Sequence, residues 1–135
     1  MMPERQPIEV IEEFLQRAAT SPDVSIIGEL VSEEVDWFVA GDVAVVPWIG
    51  RKHGKAGAVE FYRQIREQIS SEHFEIGEML VRGGRVMIPG RLASRVNKTG
   101  KLIESEFVLD FTVTDGLITR FRLFEDSYAV AQACV

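Results

Sequence analysis

The sequence predicts an α+β domain in which three helices, placed mostly toward the N-terminus, pack on one face of a strongly curved, mostly antiparallel sheet to form a cone-shaped barrel. Three observations lead there. Apolar residues of the first half recur at helical spacing. From His73 onward the pattern changes to period two. The period-two runs are separated by Gly83-Gly84, Asn97-Lys98-Thr99-Gly100 and Thr114-Asp115-Gly116, each a hairpin-turn signal.

The elements follow in order. Ile8, Ile11, Phe14/Leu15 and Ala18 predict an amphipathic helix over residues 8–19. Ser21-Pro22-Asp23 offers a hydroxyl cap, a proline at the first helical position and an acid in the first turn, so Val24, Ile27, Leu30 and Val31 predict a second, shorter helix. Val35-Asp36-Trp37-Phe38-Val39 is rich in strand formers, whereas the apolar run Ala44-Val45-Val46, halted by Pro47, stays open. Val59, Tyr62, Ile65 and Ile69, with Phe61 beside them, predict a third helix from Ala56 to Ile69. Four strands follow, His73–Arg82, Arg85–Val96, Leu102–Val113 and Leu117–Asp126. A meander of this kind buries one face under the helices.

A chain of 135 residues, 46% of them hydrophobic, makes one domain over 1–135 with a core of its own. No repeat, low-complexity tract or linker divides it. The polar start and the lack of a long apolar run argue against a membrane span or a signal peptide, so a cytoplasmic protein is expected. A net charge of -6 argues against nucleic acid as a partner. Cys134 is the only cysteine, which excludes an internal disulfide and a thiolate metal cage. His53 and His73 are the only histidines and have no nearby carboxylates at ligand spacing, so neither a metal nor another cofactor is expected.

A cone open at one end offers an apolar pocket, and a small hydrophobic or polycyclic molecule is the expected occupant. Nothing in the sequence covers the opposite face of the sheet, where Val108, Phe121 and Leu123 are expected to need burial. A homodimer through that face follows. The loop Val46–Tyr62 carries Gly50, Gly54 and Gly57, but Lys55 precedes Ala56 rather than Ser or Thr and no parallel βα unit surrounds it. It is expected to be a corner at the pocket's lip, not a phosphate cradle.

Gly54, Gly57 and Phe61, with the ending Asp115-Gly116-Leu117-Ile118-Thr119-Arg120-Phe121-Arg122-Leu123-Phe124-Glu125-Asp126, carry a resemblance to the nuclear-transport-factor-two-like superfamily. Within it the chain most resembles SnoaL-like polyketide cyclases and relatives of ketosteroid isomerase. The resemblance implies a curved sheet cupping three helices around a hydrophobic cavity, commonly in a dimer. It also implies where isomerase chemistry would sit, and those places are apolar here: Trp37 or Val46 at the base, Leu109 at the neutral acid, Phe14 and Leu15 at the tyrosine. Asp36, beside the first of these, is the remaining acid.

The last strand carries the most informative charges. Period two puts Arg120, Arg122, Phe124 and Asp126 on one face and Phe121, Leu123 and Glu125 on the other. Likeness to the isomerase points the first set into the cup. Asp126 is then the expected acid or base and Arg122 the oxyanion partner, with His53 and Asp36 as further candidates. Compared with the Trp-Arg-Asp-Tyr-Phe-Asp ending of the limonene-epoxide-hydrolase branch, only Arg122 and Asp126 keep charge, with Leu123 in place of the middle acid. Trp37, Trp48, Phe61, Tyr62, Leu109 and Phe124 are the candidate walls of the pocket. The competing reading is structural: Asp126 caps the end of the strand, the aromatics are core, and the protein is a non-catalytic binding or dimer-forming accessory protein.

Overall fold

The computed structural model describes residues 5–135. Helix α1, Pro7–Thr20, starts where Pro7 gives up an N–H that no helix position would have used, and the Glu9 carboxylate accepts the Gln6 N–H at 3.3 Å. Its inner stripe buries Val10, Ile11 and Phe14. Helix α2, Val24–Gly28, is capped by Asp23, which accepts the Ser25 N–H at 2.9 Å. The expected cap, Ser21, instead donates its hydroxyl to the Asp23 carbonyl at 3.1 Å, so the helix starts later than Ser21-Pro22 suggested. It also ends sooner, because Val31 opens strand β1, Val31–Val39.

Residues 43–45 form a turn that tucks Val46 into the core. Strand β2, Gly50–His53, leads into α3, Gly54–Gln68. The basic loop is therefore partly a strand, hydrogen-bonded antiparallel to β1 with Trp37 opposite Lys52. Gly54 sits at φ 65°, and a Cβ there would lie 3.0 Å from the Glu33 carbonyl, so this corner requires glycine.

Then come β3, Ile69–Ile76; β4, Leu80–Arg82; β5, Arg85–Val96; β6, Leu102–Thr114; β7, Leu117–Glu125; and a short helix α4, Ser127–Ala133. The span expected as one strand, His73–Arg82, is two strands, and Gly77 between them donates its N–H to the Pro89 carbonyl at 2.7 Å. Helix α4 was not anticipated. Strand order is β2-β1-β7-β6-β5-β3, with β4 pairing β5; all pairs are antiparallel except β1 with β7. The architecture is the expected α+β one, with helices on one face of a curved, mostly antiparallel sheet.

The registers decide which face of β7 is inside. Phe121 lies opposite both Trp37 of β1 and Phe111 of β6, and Leu123 lies opposite Leu109. Phe121, Trp37 and Phe111 are almost fully buried, and the Trp37 and Phe121 rings stack 3.9 Å apart at 16°. Phe121, Leu123 and Glu125 therefore face the helices, and Arg120, Arg122 and Phe124 face outward. This reverses the expectation. Burying two guanidiniums without partners inside the cone costs several kcal/mol more than burying a phenyl ring gains. Phe121 and Leu123 accordingly drop out as residues of the outer face, Val108 remains there, and Phe124, expected inside the cup, joins it.

Phe121→Ala should lower unfolding stability by about 3–5 kcal/mol in urea titrations, through loss of buried contacts and the cavity left behind. Phe124, 50% exposed, should cost less than about 1 kcal/mol on the same change in the monomer. Equal losses would contradict the register.

Candidate functional site

The closed half of the cone is filled with aromatic rings. Phe14 meets Trp37, Tyr62 and Phe111 edge-on at centroid distances of 6.4, 5.7 and 5.6 Å, and Phe61 meets Trp37 at 5.5 Å. Phe14, Trp37 and Leu109, the places that isomerase chemistry would occupy, all lie in this packed region. Burial pushes the Tyr62 phenol far up, so it stays a neutral O–H. Among the described residues Trp37 Nε1 is the one buried side-chain polar atom without a hydrogen-bond partner.

Charged candidates lie outside. Arg122 donates to Asp36 twice, to the carboxylate at 2.9 Å and to the carbonyl at 3.0 Å, and Arg51 pairs with the other carboxylate oxygen. Both guanidiniums lie over the Phe38 ring, at 5.6 and 5.0 Å. Arg122 and then Arg51 hold the Asp36 carboxyl below its usual range. Next to it, Asp110, 1% exposed, accepts two bonds from Arg85 at 3.0 and 2.7 Å and one from Arg120 at 2.9 Å. The sequence reading passed over Asp110, although Arg85, Asp110 and Arg120 share the outward parity of their strands. Asp36 and Arg122 do meet, on the outer face rather than in the cup.

Asp126 accepts the Ala129 N–H at 2.9 Å and so caps α4, while its own N–H bonds the Ser105 hydroxyl at 2.9 Å. Arg122 and Asp126 thus have separate partners. His53 is exposed at the junction of β2 and α3, across from Asp36 on the outward side. Of the expected walls, Trp48, Phe61 and Leu109 are buried, Trp37 is fully buried, Tyr62 is half-buried, and Phe124 stands outside. Among the described residues no three His, Cys, Asp or Glu side chains gather as a metal site.

The inward position that the reversed register exposes is Glu125. It sits on the last residue of β7, opposite Phe107 and two positions beyond Leu123. Among the described residues of β5, β6 and β7 it is the one acid that strand register places on the inward face. Burial pushes its carboxyl up to about 7, and the neighbouring Asp126 carboxylate adds to the rise. Around it the inward face is apolar. Phe107 is buried and stacks on Phe74 with centroids 5.2 Å apart. Gly90 permits this, since a Cβ there would lie 2.5 Å from the Phe107 ring. Phe74 and Ile76, 55% and 39% exposed, continue that surface beyond the helices at the mouth of the cone. Helix α4 borders the mouth on the other side, burying Val130 and Ala133.

The fold recurs in solved structures. The chain superposes over 100% of both chains on an NTF2-like protein from Burkholderia xenovorans LB400, with a TM-score of 0.87 at 22% identity. TerC, co-crystallised with polyporic acid, matches with a TM-score of 0.79 at 22% identity, over 95% of this chain and 97% of that one. A protein with a ketosteroid isomerase-like fold from Catenulispora acidiphila DSM 44928, solved with trimethylamine, matches with a TM-score of 0.74 at 11% identity, over 96% and 94%. No curated protein matches by sequence. Among the described residues no helix is long and apolar enough to cross a membrane. Residues 11–121 match the family described as SnoaL-like domain, and the chain belongs to that family.

Proposed function

We propose that the protein binds a small hydrophobic, carbonyl-bearing molecule at the mouth of the cone and moves a proton on it without a cofactor, with Glu125 as the acid or base. The observation that carries this reading is Glu125 itself, an acid facing inward opposite Phe107 whose carboxyl burial pushes up to about 7. A carboxyl titrating near pH 7 exchanges protons in either direction at little cost, which suits isomerisation or cyclisation next to a carbonyl. TerC, which shares the fold, was co-crystallised with a small molecule, polyporic acid, and this supports a small-molecule ligand here. Glu125 takes the place that the sequence reading assigned to Asp126 and Arg122.

A second reading keeps binding and drops catalysis. It is favoured by the apolar residues at all three isomerase positions and by the tight aromatic packing of the closed end. Both readings include a homodimer formed through the outer sheet face and an intracellular setting, where a lone thiol such as Cys134 stays reduced.

The test is solvent deuterium incorporation next to the carbonyl of a panel of cyclic enones and hydroxyquinones, with binding followed by calorimetry. Glu125→Gln should lower the exchange rate by about 10²-fold or more while affinity changes little. Asp126→Asn and Arg122→Leu should leave the rate per folded molecule near the parent's. Binding without exchange in the parent supports the second reading, and an unchanged rate in Glu125→Gln rejects the first.

Stability should report the same group. The folded-state value of Glu125, about 7, lies above the unfolded one, 4.5. As pH rises from about 4.5 to 7, the unfolded chain therefore ionises first, and stability falls by up to roughly 3 kcal/mol. Glu125→Gln should flatten that decline and raise the melting temperature at pH 8, with little change near pH 4.

A further inference from the structure

Strand β7 stops at Glu125, opposite Phe107, whereas its neighbour β6 extends beyond that pairing to Leu102. Helix α4 packs along this extension. Asp126, directly after the acid, turns the chain: its N–H goes to the Ser105 side-chain hydroxyl at 2.9 Å, and its carboxylate caps the helix at the Ala129 N–H, also 2.9 Å away. At the far end the Thr99 hydroxyl donates to the Ala133 carbonyl at 2.5 Å, and the Lys101 ammonium donates to the Val135 carbonyl. Ser105 thus holds one end of α4 and Thr99 and Lys101 the other, with the buried Ile103 of β6 between them in sequence. Among the described residues no backbone hydrogen bond joins α4 to the sheet. Its attachment is those side-chain bonds and two buried side chains, Val130 and Ala133. Water replaces such bonds when the helix lifts, so α4 stands at the low end of local stability, while the ladders of β6 stand at the high end.

We propose that α4 is a lid on the ligand site, hinged at Asp126 and latched by Thr99 and Lys101, and that it lifts to admit the ligand to Glu125. The hinge adjoins the acid without being part of the sheet. A change of backbone angles at Asp126 swings α4 away, while the pairing with Phe107 keeps Glu125 where it is. Lifting the helix uncovers Ile103 and opens the inward side of β6 toward Phe107, an apolar surface with Glu125 at its end. A closed lid also explains how an acid on the last residue of a strand comes to be only partly exposed. The lid's purpose rests on the reading that the ligand lies beside Glu125. Its opening does not, and can be measured with no ligand present.

Hydrogen–deuterium exchange of the full chain, read by mass spectrometry, should show the amides of residues 129–134 exchanging about 10²-fold or more faster than those of residues 107–111, which pair with both β5 and β7. Thr99→Val combined with Lys101→Met keeps the bulk of both side chains and removes both latch bonds. It should speed exchange in α4 by about tenfold and leave residues 107–111 as in the parent. Thr99→Cys combined with Ala133→Cys, in a Cys134→Ser background, should close a disulfide across the latch. Oxidised, this protein should exchange more slowly in α4 and take up Nile red, an uncharged apolar dye, about tenfold or more slowly in stopped flow, with the parent's rates restored on reduction. Four results would each overturn the lid: α4 exchanging in step with β6, a latch variant that matches the parent, equal dye uptake by the oxidised and reduced proteins, or no dye uptake by any form. The exchange comparison decides without the cysteine pair. A lid that opens in a protein that incorporates no deuterium into the enones keeps this inference and rejects proton transfer by Glu125, so the two readings fail separately.

Discussion

The stack of Trp37 on Phe121 is the contact from which the rest of this molecule follows. It ties β1 to β7, the one parallel pair in the sheet, and closes the sheet over the helices. Two rings 3.9 Å apart and almost fully buried remove a large apolar area from water. Because side chains alternate along a strand, putting Phe121 inside places Leu123 and Glu125 inside with it and sends Arg120, Arg122 and Phe124 out. The packing of one ring thereby decides which charges meet solvent and which acid enters the cone.

The outward charges are then arranged as pairs, not left free. Asp110 is buried under Arg85 and Arg120 and has its lone pairs filled by three charge-assisted bonds, the condition under which a buried carboxylate is tolerated. Arg85 and then Arg120 hold its carboxyl below the usual range. Glu125 has the opposite environment: apolar neighbours, the negative Asp126 beside it, and a carboxyl that resists ionisation. The same residue chemistry thus yields a permanent anion on one face and a titratable acid on the other.

Membership of the SnoaL-like family accounts for the shape of this chain but not for its chemistry. Relatives at 22% identity or below share the fold, and a shared fold does not carry a shared chemistry. Here the core holds rings that support the fold, and the inward acid of β7 lies at the strand end, next to α4.

Much of the fold was legible in the sequence because local pattern carries it. The apolar spacing of Ile11 and Phe14 made α1 visible, the glycine turns marked the β5–β6 and β6–β7 hairpins, and period two divided β7 into its two faces. Local pattern also missed things that depend on distant partners. Helix α4 is short and needs Asp126 as its cap and β6 as its support, and β2 looked like a loop because its strand partner lies in β1. The face choice on β7 was likewise beyond the sequence. Alternation defines two sets of residues but contains no information about which set meets the core; only Trp37 and Phe111, brought alongside Phe121 by the tertiary fold, decide that. The sequence by itself determined the fold class, the family and the parity of each strand. The tertiary structure alone decided that Glu125 rather than Arg122 or Phe124 stands on the helix-facing side of β7, because the free energy of burying one ring among others outweighs the likeness that pointed the arginines inward.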